Sequence, residues 1–476
     1  MNSIAILHGW SDKGDSFKHL RDFLGQNGFA VQDVFLGNYI SMDDDVRVED
    51  VAKRMDVVIQ AMIAAGTLSQ TFDLIVHSTG ALVARQWMAN LHAAGRTVPV
   101  RRFVMLAPAN FGSRLAAVGK SMIGRLTKGL GNRLETGEEM LRALELASPY
   151  QWKLAQQDLL ARPGEDASGP FSAIDDTKGV LPFVIVGTRA YDSGLQQIIN
   201  EAGSDGTVRV SAADINATGF TIDFSKNSAD PQVTLWPLRK PYAAPLAVLP
   251  ERDHTEITHP EQSGEILPPK DARLRELLLQ ALRCVSLAEY KTITDAWQAI
   301  SDETATLAQS RDLIDQTFGN LDDPKPKQFH RYLQLNVMVR DDYGNLVSDY
   351  FLEFAEPDAK NRKGMITFHR DVLEHVHVNS IHPAYRCLYI DHTDLMDIFY
   401  RNNTAELAVS ISAAPLGRNV KYFDSKTDSA KGEVNIHAQD VNARADLPAR
   451  LHRNRTHFVE VIIPRRPIDK VFSFLP

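Results

Sequence analysis

Residues Leu74–Arg85 read LIVHSTGALVAR: an apolar run meets a serine, and a small residue then opens a helix-forming stretch. A strand that turns sharply into a helix lifts a hydroxyl clear of a sheet edge. The usual signature is G-x-S-x-G, with small residues two before and two after the serine so that strand and helix approach closely. Here the pentapeptide is Val76-His77-Ser78-Thr79-Gly80. Gly80 and Ala81 keep the helix side small, but Val76 puts a β-branched residue where the first glycine belongs. A serine at a strand end is otherwise an ordinary helix cap. The neighbouring sequence has to decide between the two.

That neighbourhood alternates strands and helices. Upstream, Ile4–Leu7 is a short apolar run, Phe17–Leu24 has helical spacing, Phe29–Leu36 reads as a strand, and Val48–Ala65 repeats apolar residues at three and four. Downstream, Gly80–Ala94 reads as a helix and Arg102–Ala107 as a strand. This rhythm predicts a parallel sheet covered by helices on both faces. It stops after Ser113, where SRLAAVGKSMIGRLTKGL and EEMLRALELASPYQWKLAQQDLL are helical and amphipathic. The sheet resumes at Leu181–Gly187, so residues 113–180 are expected to form a helical cap or lid between two core strands. Strand-like pieces continue to Pro250, and helices are expected over Asp271–Tyr290 and Thr294–Phe318.

Past the polar, proline-bearing connection Leu321–Gln328 the period changes to two. Leu333–Val339 alternates, Asp342-Tyr343-Gly344-Asn345 supplies a turn, and Tyr350–Phe354 returns. Similar runs at Met365–Phe368, Cys387–Ile390, Leu407–Ser412, Glu433–His437 and Phe458–Ile463 predict an antiparallel sandwich with almost no helices. The expected organisation is an α/β domain over 1–290, a helical linker over 291–328 and a β-sandwich-like domain over 329–476.

At 476 residues, with 44% hydrophobic and 24% charged residues, the chain has the make-up of a soluble globular protein with a sizeable core. A net charge of −8 lacks the basic stripe of a nucleic-acid binder. The 2 cysteines, Cys284 and Cys387, form neither a disulfide framework nor a C-x-x-C pair for zinc or redox work. MNSIAILHGW enters a strand at once, without the basic start and apolar stretch of a Sec signal peptide. No run is long enough for a membrane span. The expectation is a cytoplasmic protein as synthesised, with any export by a leaderless route.

Three further motifs bear on Ser78. His8-Gly9-Trp10 follows the first strand, where a loop can aim the backbone N–H of Trp10 at an oxyanion beside that of Thr79. Gly203-Ser204-Asp205-Gly206-Thr207-Val208 follows the strand at 181–187. Asp205 in that glycine-flanked loop is the candidate acid that orients a histidine, with Asp192 and Asp214 as competitors; S-D-G is also plain turn chemistry. Asp253-His254-Thr255-Glu256-Ile257-Thr258-His259 follows the apolar run ending near Leu249. His254 comes first and is the candidate base, with His259 as the alternative. Asp253 is expected to shape the loop and His77 to pack at the turn, because adjacent side chains diverge. Nucleophile, acid and base in the order Ser78, Asp205, His254 match the order imposed by an elbow-bearing sheet.

Together LHGW, VHSTGALVAR, LAPANFGS at Leu106–Ser113, GSDGTVRVS at Gly203–Ser211 and the DHTEI cluster resemble the lipase and esterase branch of the α/β-hydrolases, over residues 1–285. The resemblance implies an α/β-hydrolase fold and a serine hydrolase of carboxylic esters working through an acyl-enzyme, with no metal or organic cofactor. Val76 departs from the family's glycine, while serine, acid and histidine remain. A thioesterase or acyltransferase on the same fold, and an inactive hydrolase-fold binding or scaffold protein, are the competing readings.

The apolar cap leans toward lipid acyl esters, the substrates of lipases and phospholipases. Met122, Ile123, Leu126, Leu130 and Trp152 are candidates to line an acyl channel or lid; packing the cap against the core is their plainer use. The β-domain is a candidate to dock on a membrane surface or a protein partner. Asp341, Asp342, Asp349, Asp391 and Asp394 invite a calcium reading, although acidic pairs are common in β-turns. His375, His377 and His382 lack the carboxylate or cysteine set that completes a metal site, and the first two are expected on one strand face. A hydrolase-like domain without a signal peptide joined to a β-domain also resembles secreted bacterial lipase effectors in layout.

Overall fold

Six strands, nearly all apolar, form a parallel sheet: β1 (Ser3–Leu7), β2 (Ala30–Val34), β3 (Phe72–His77), β4 (Val100–Leu106), β5 (Leu181–Gly187) and β8 (Leu246–Leu249), in the spatial order β2-β1-β3-β4-β5-β8. The computed structural model describes residues 3–7, 17–34, 44–118, 137–191, 200–250, 252–260, 269–318, 327–355, 362–401, 406–423, 433–437 and 451–467. Successive side chains of these strands feed two cores. Ile4, Ile6 and Ile75 pack with Leu20 and Phe23 of α1 (Lys18–Gln26) and with Leu274, Leu277 and Leu278. Ala5, Leu7, Leu74 and Val76 pack against α2 (Val48–Ala64) and α3 (Gly80–Ala93). Burial on both faces is why these strands read as continuous apolar runs.

Between β4 and β5, the described part of the expected cap contains α4 (Glu138–Leu144) and α5 (Pro149–Asp158). Ser148 caps α5, its Oγ accepting from the Gln151 N–H at 3.2 Å, with Pro149 beginning the helix. Arg85 of α3 donates from Nε and Nη2 to Asp158 of α5 at 2.7 and 3.1 Å, with both side chains at 0% exposure. Met122, Ile123, Leu126 and Leu130 lie outside the described residues. Trp152 packs edge-on against Trp236, Tyr385 and Phe458, so it fills a seam between two parts of the chain.

After the short helix α6 (Val210–Ala213), two helices complete the α/β part. α7 (Pro269–Arg283) carries Leu274, Leu277 and Leu278, and α8 (Leu287–Phe318) lies along β8. Ser301 Oγ donates to Leu246 O at 2.8 Å and accepts from Val248 N at 3.1 Å, and Thr304 Oγ1 donates to Val248 O at 2.7 Å. Helix hydroxyls thus satisfy the backbone of an edge strand that would otherwise be open to another chain. The stretch read from sequence as a helical linker therefore also closes a sheet edge.

β6 (Thr218–Asp223) and β7 (Gln232–Leu235) leave the parallel sheet and join a second one, of order β11-β12-β9-β16-β6-β7. The others come from the C-terminal half: β9 (Tyr332–Asp341), β11 (Leu373–Val378), β12 (Tyr385–Asp391) and β16 (Thr456–Ile463). A three-stranded sheet of β10 (Tyr350–Ala355), β13 (Glu406–Ala413) and β15 (Glu433–His437) belongs to the same lobe, as does the pair of β14 (Val420–Tyr422) and β17 (Arg465–Pro467). Its Phe354, Leu407, Ile411 and Val434 share one apolar core with Leu333, Leu335, Val337, Val459 and Val461 of the large sheet. The opposite face of the large sheet lies against the α/β lobe, through Gln334 and Phe458 on Phe111 and through Trp152 on Phe458. The sandwich is therefore built across the domain boundary, with strands from both sides of it.

Two details of the sandwich differ from expectation. β16 runs parallel to both neighbours, β9 and β6, where an antiparallel sheet is predicted. Side chains alternate identically in both arrangements, so a period of two carries no strand direction. Met365–Phe368 belongs to helical turns spanning Arg362–Thr367 and Phe368–Val372 instead of a strand. A short apolar run fits either period, and Phe368 is buried against Phe354 with ring centroids 4.6 Å apart. Among the described residues, no helix is long and apolar enough to cross a membrane.

Arg85→Met leaves the Asp158 carboxylate buried without its partner and is expected to destabilise the protein by about 3–5 kcal/mol. Adding Asp158→Leu should restore most of that stability, since apolar side chains then fill the space. Urea denaturation of both variants checks this, and a double variant no more stable than the single would overturn it.

Candidate active site

Ser78 follows β3 with φ +54°, a left-handed conformation that a residue with a Cβ adopts only when its surroundings hold it. Its N–H donates to Leu106 O at 3.1 Å, and its carbonyl accepts from Ala81 N and Ala109 N, each at 3.2 Å. These bonds tie the turn to the end of β4 and the start of α3. Val76 is fully buried, in one core with Ala81 and Ala84 of α3. Thr79 stands immediately before α3, and His8, Gly9 and Trp10 lie outside the described residues.

The segment after β8 crosses the end of the parallel sheet. Gly187, at the end of β5, lies so close to it that a Cβ there would sit 1.8 Å from Arg252 O. Asp253 Oδ1 accepts from Thr255 N at 2.9 Å and Glu256 N at 2.8 Å, which shapes the loop as expected. His254 then reaches Ser78, with Nε2 and Oγ 3.0 Å apart. Its backbone is fixed on both sides: the N–H donates to Asp205 O at 3.0 Å, and its carbonyl accepts from His77 Nε2 at 2.9 Å. His77 thus braces the histidine loop besides packing at the turn. His259 stands elsewhere, edge-on to His19 with ring centroids 5.3 Å apart.

Asp205 is fully buried, and its Oδ2 lies 2.9 Å from His254 Nδ1. Oδ1 accepts from Thr207 N at 2.9 Å and Val208 N at 2.7 Å, which fixes the carboxylate's orientation. Ser78, His254 and Asp205, predicted from three separate motifs, form one hydrogen-bonded chain. Asp214 belongs to a different buried group with Asn216 and Lys240, where burial pushes its carboxyl up and the Lys240 ammonium down. Asp192 lies outside the described residues.

Sequence reasoning singles out neither Glu201 nor Arg209, although Arg209 stands in the quoted GSDGTVRVS. The two flank the Asp205 loop and pair across its base, Arg209 Nε and Nη2 donating to Glu201 at 2.6 and 2.8 Å. Burial opposes both charges, yet mutual attraction wins: Glu201 lies below and Arg209 above its ordinary pKa. Gly203, with φ +70°, rests on the second lobe, where a Cβ would come within 2.2 Å of the Tyr332 ring. Gln328 Nε2 donates to Ser204 O at 2.9 Å and also to Thr188 O. Tyr191 packs over the loop's other side, its hydroxyl 2.8 Å from Thr207 Oγ1.

Several of the residues considered for metals have other partners. Asp341 Oδ1 accepts from Tyr343 N and Asn345 N at 3.0 and 2.8 Å, as a turn carboxylate does. Asp391, Asp394 and His330 come together, but Lys327 Nζ lies 2.7 Å from Asp394 Oδ2 and 3.7 Å from Asp391 Oδ2. The positive charge among these acids is an ammonium of the chain itself. His375 and His377 do share one face of β11, stacked with centroids 6.4 Å apart. That face meets the α/β lobe, His375 at Arg209 and His377 at Glu145.

No family model and no curated protein matches the chain in sequence. Among solved structures, it is similar to phospholipase PlaB from Legionella pneumophila, with a TM-score of 0.76 and 23% identity over 100% of this chain and 96% of that one. The complex of PlaB with thio-NAD is similar too, at a TM-score of 0.75 and 22% identity over the same shares. The likeness is one of fold and spans both lobes. The chain has the α/β-hydrolase fold with further β-sheets in its C-terminal region.

Gly203→Ala meets both a strained φ and the Tyr332 ring, and is expected to cost about 2–4 kcal/mol of stability. Gly28→Ala, at φ +82° with nothing within 4 Å, should lose only about 1 kcal/mol. Equal losses in urea denaturation would show that the second lobe does not press on the loop.

Proposed function

We propose that this chain is a serine hydrolase that cleaves carboxylic esters through an acyl-enzyme, with lipid acyl esters as its substrates. The observation that carries the reading is the continuous hydrogen-bonded chain from Ser78 Oγ through His254 to Asp205, with the serine held at positive φ at a strand-to-helix turn. His254 takes the Ser78 proton as the hydroxyl attacks the ester carbonyl, and the buried Asp205 carboxylate stabilises the imidazolium that forms. The Thr79 N–H at the start of α3, with that of Trp10, receives the developing oxyanion, at about 3 kcal/mol per donor. His254 then protonates the leaving alcohol, and water releases the acyl group by the reverse steps. The lean toward phospholipids and glycerides is supported by the apolar character of the cap sequence and by the fold shared with a phospholipase.

A fluorophosphonate probe tests the reaction class. Wild type should be labelled and Ser78→Ala should not; an unlabelled wild type points to an inactive hydrolase-fold scaffold. Asp205→Asn is expected to lower kcat by about 10³- to 10⁴-fold with the fold intact. Turnover of phospholipid vesicles against short-chain esters and thioesters then reads the substrate class, and faster turnover of the short esters would overturn the lipid assignment.

A further inference from the structure

The Asp205 loop is braced at its base by a buried ion pair and seated on strands of the second lobe. Glu201 and Arg209 stand four residues before and four after Asp205, and their bidentate pair closes the loop like a clasp. Backbone bonds beside and inside it, Val210 N to Gly203 O at 3.0 Å and Asp205 N to Val208 O at 3.1 Å, leave little slack between the clasp and the carboxylate. The guanidinium continues into the second lobe. Its Nη1 donates to Gln334 Oε1 of β9 at 3.1 Å, and its Cζ lies over the Tyr389 ring of β12, 4.0 Å from the centroid. The Tyr389 hydroxyl in turn donates to Ala202 O at 2.8 Å, next to the clasp.

Resting on the hydrolase reading above, we propose that Arg209, seated on Tyr389 and Gln334, is a positioning residue that holds Asp205 at hydrogen-bonding distance from His254. The second sheet is thereby part of the hydrolytic apparatus and not a separable docking module. A guanidinium suits this post because its planar fork engages Glu201 on one edge and Gln334 on the other while a ring covers its face. A lysine at 209 keeps the charge but cannot hold Glu201, Gln334 and the Tyr389 ring together at fixed angles. The acid loop then gains freedom, and displacements under an ångström at such a site lower turnover steeply.

The test is a mutant cycle on the full-length protein, with steady-state kinetics on a short p-nitrophenyl ester and fluorophosphonate labelling rates. Arg209→Lys is expected to lower kcat by about 10- to 100-fold with KM changed by less than about 3-fold. In an Asp205→Asn background the same substitution should change kcat by less than about 3-fold, because the positioned group is already disabled. Tyr389→Phe, which removes one hydroxyl and keeps the ring, should give a smaller kcat loss of about 3- to 10-fold that likewise vanishes in that background. It decides the matter if Arg209→Lys does not fold. Equal losses with and without the Asp205 carboxylate, a loss carried by KM, or an unchanged kcat in Tyr389→Phe would overturn the inference. A labelled wild type with any of these results leaves the hydrolase reading standing; an unlabelled wild type removes both.

Discussion

A guanidinium buried in a protein needs its charge matched and its donors satisfied, and Arg209 finds those conditions only where the two lobes meet. Glu201 supplies the countercharge, Gln334 an acceptor and Tyr389 a π-face, so groups before and after the domain boundary are required together. Displacing the second lobe would leave a paired but half-solvated cation under the Asp205 loop. Much else in the molecule lies along the same seam: Trp152 among Trp236, Tyr385 and Phe458, Glu145 with His377 and Ser380, and Arg455 beside Asp214.

The central strands β9 and β16 of the large second sheet are consequently buried on both faces, one apolar and one mixed. Leu333, Leu335, Val337 and Val339 fill the sandwich core. Gln334 and Asn336, between them in sequence, have no exposed surface either, because they face the α/β lobe. Gln334 carries bonds across the seam, to Arg209 and to Phe111 O, whereas the Asn336 amide is buried without a hydrogen-bond partner among the described residues. β6 and β7 extend this sheet from the α/β side, so its hydrogen-bond ladder also joins the lobes.

At the site itself, three loops converge over one end of the parallel sheet. The strained Ser78 turn is held by bonds to β4 and α3, the histidine loop by its close passage over Gly187, and the acid loop by the second lobe. Each loop draws its rigidity from a different source. The arrangement suits chemistry in which a proton passes from Oγ to Nε2 while the carboxylate stays still.

Much of this was legible in the chain because the signals are local. The apolar period gave the parallel sheet, glycine-flanked turns marked the loops, and the order of Ser78, Asp205 and His254 named the residues that the structure brings within 3.0 Å. The glycine-flanked loop favoured Asp205 over its competitor Asp214, and the structure places the Asp205 carboxylate, not that of Asp214, on His254. The tertiary structure alone decided what the acid loop rests on. Arg209 and Tyr389 lie far apart in sequence, and neither has a local pattern that names its partner. The alternation of β9 showed that its faces differ, but an apolar-polar period reads the same whether the polar face meets water or another lobe. Local sequence set the strands and turns through short-range sterics and hydrophobic period; which surfaces meet depended on long-range packing that no single segment encodes.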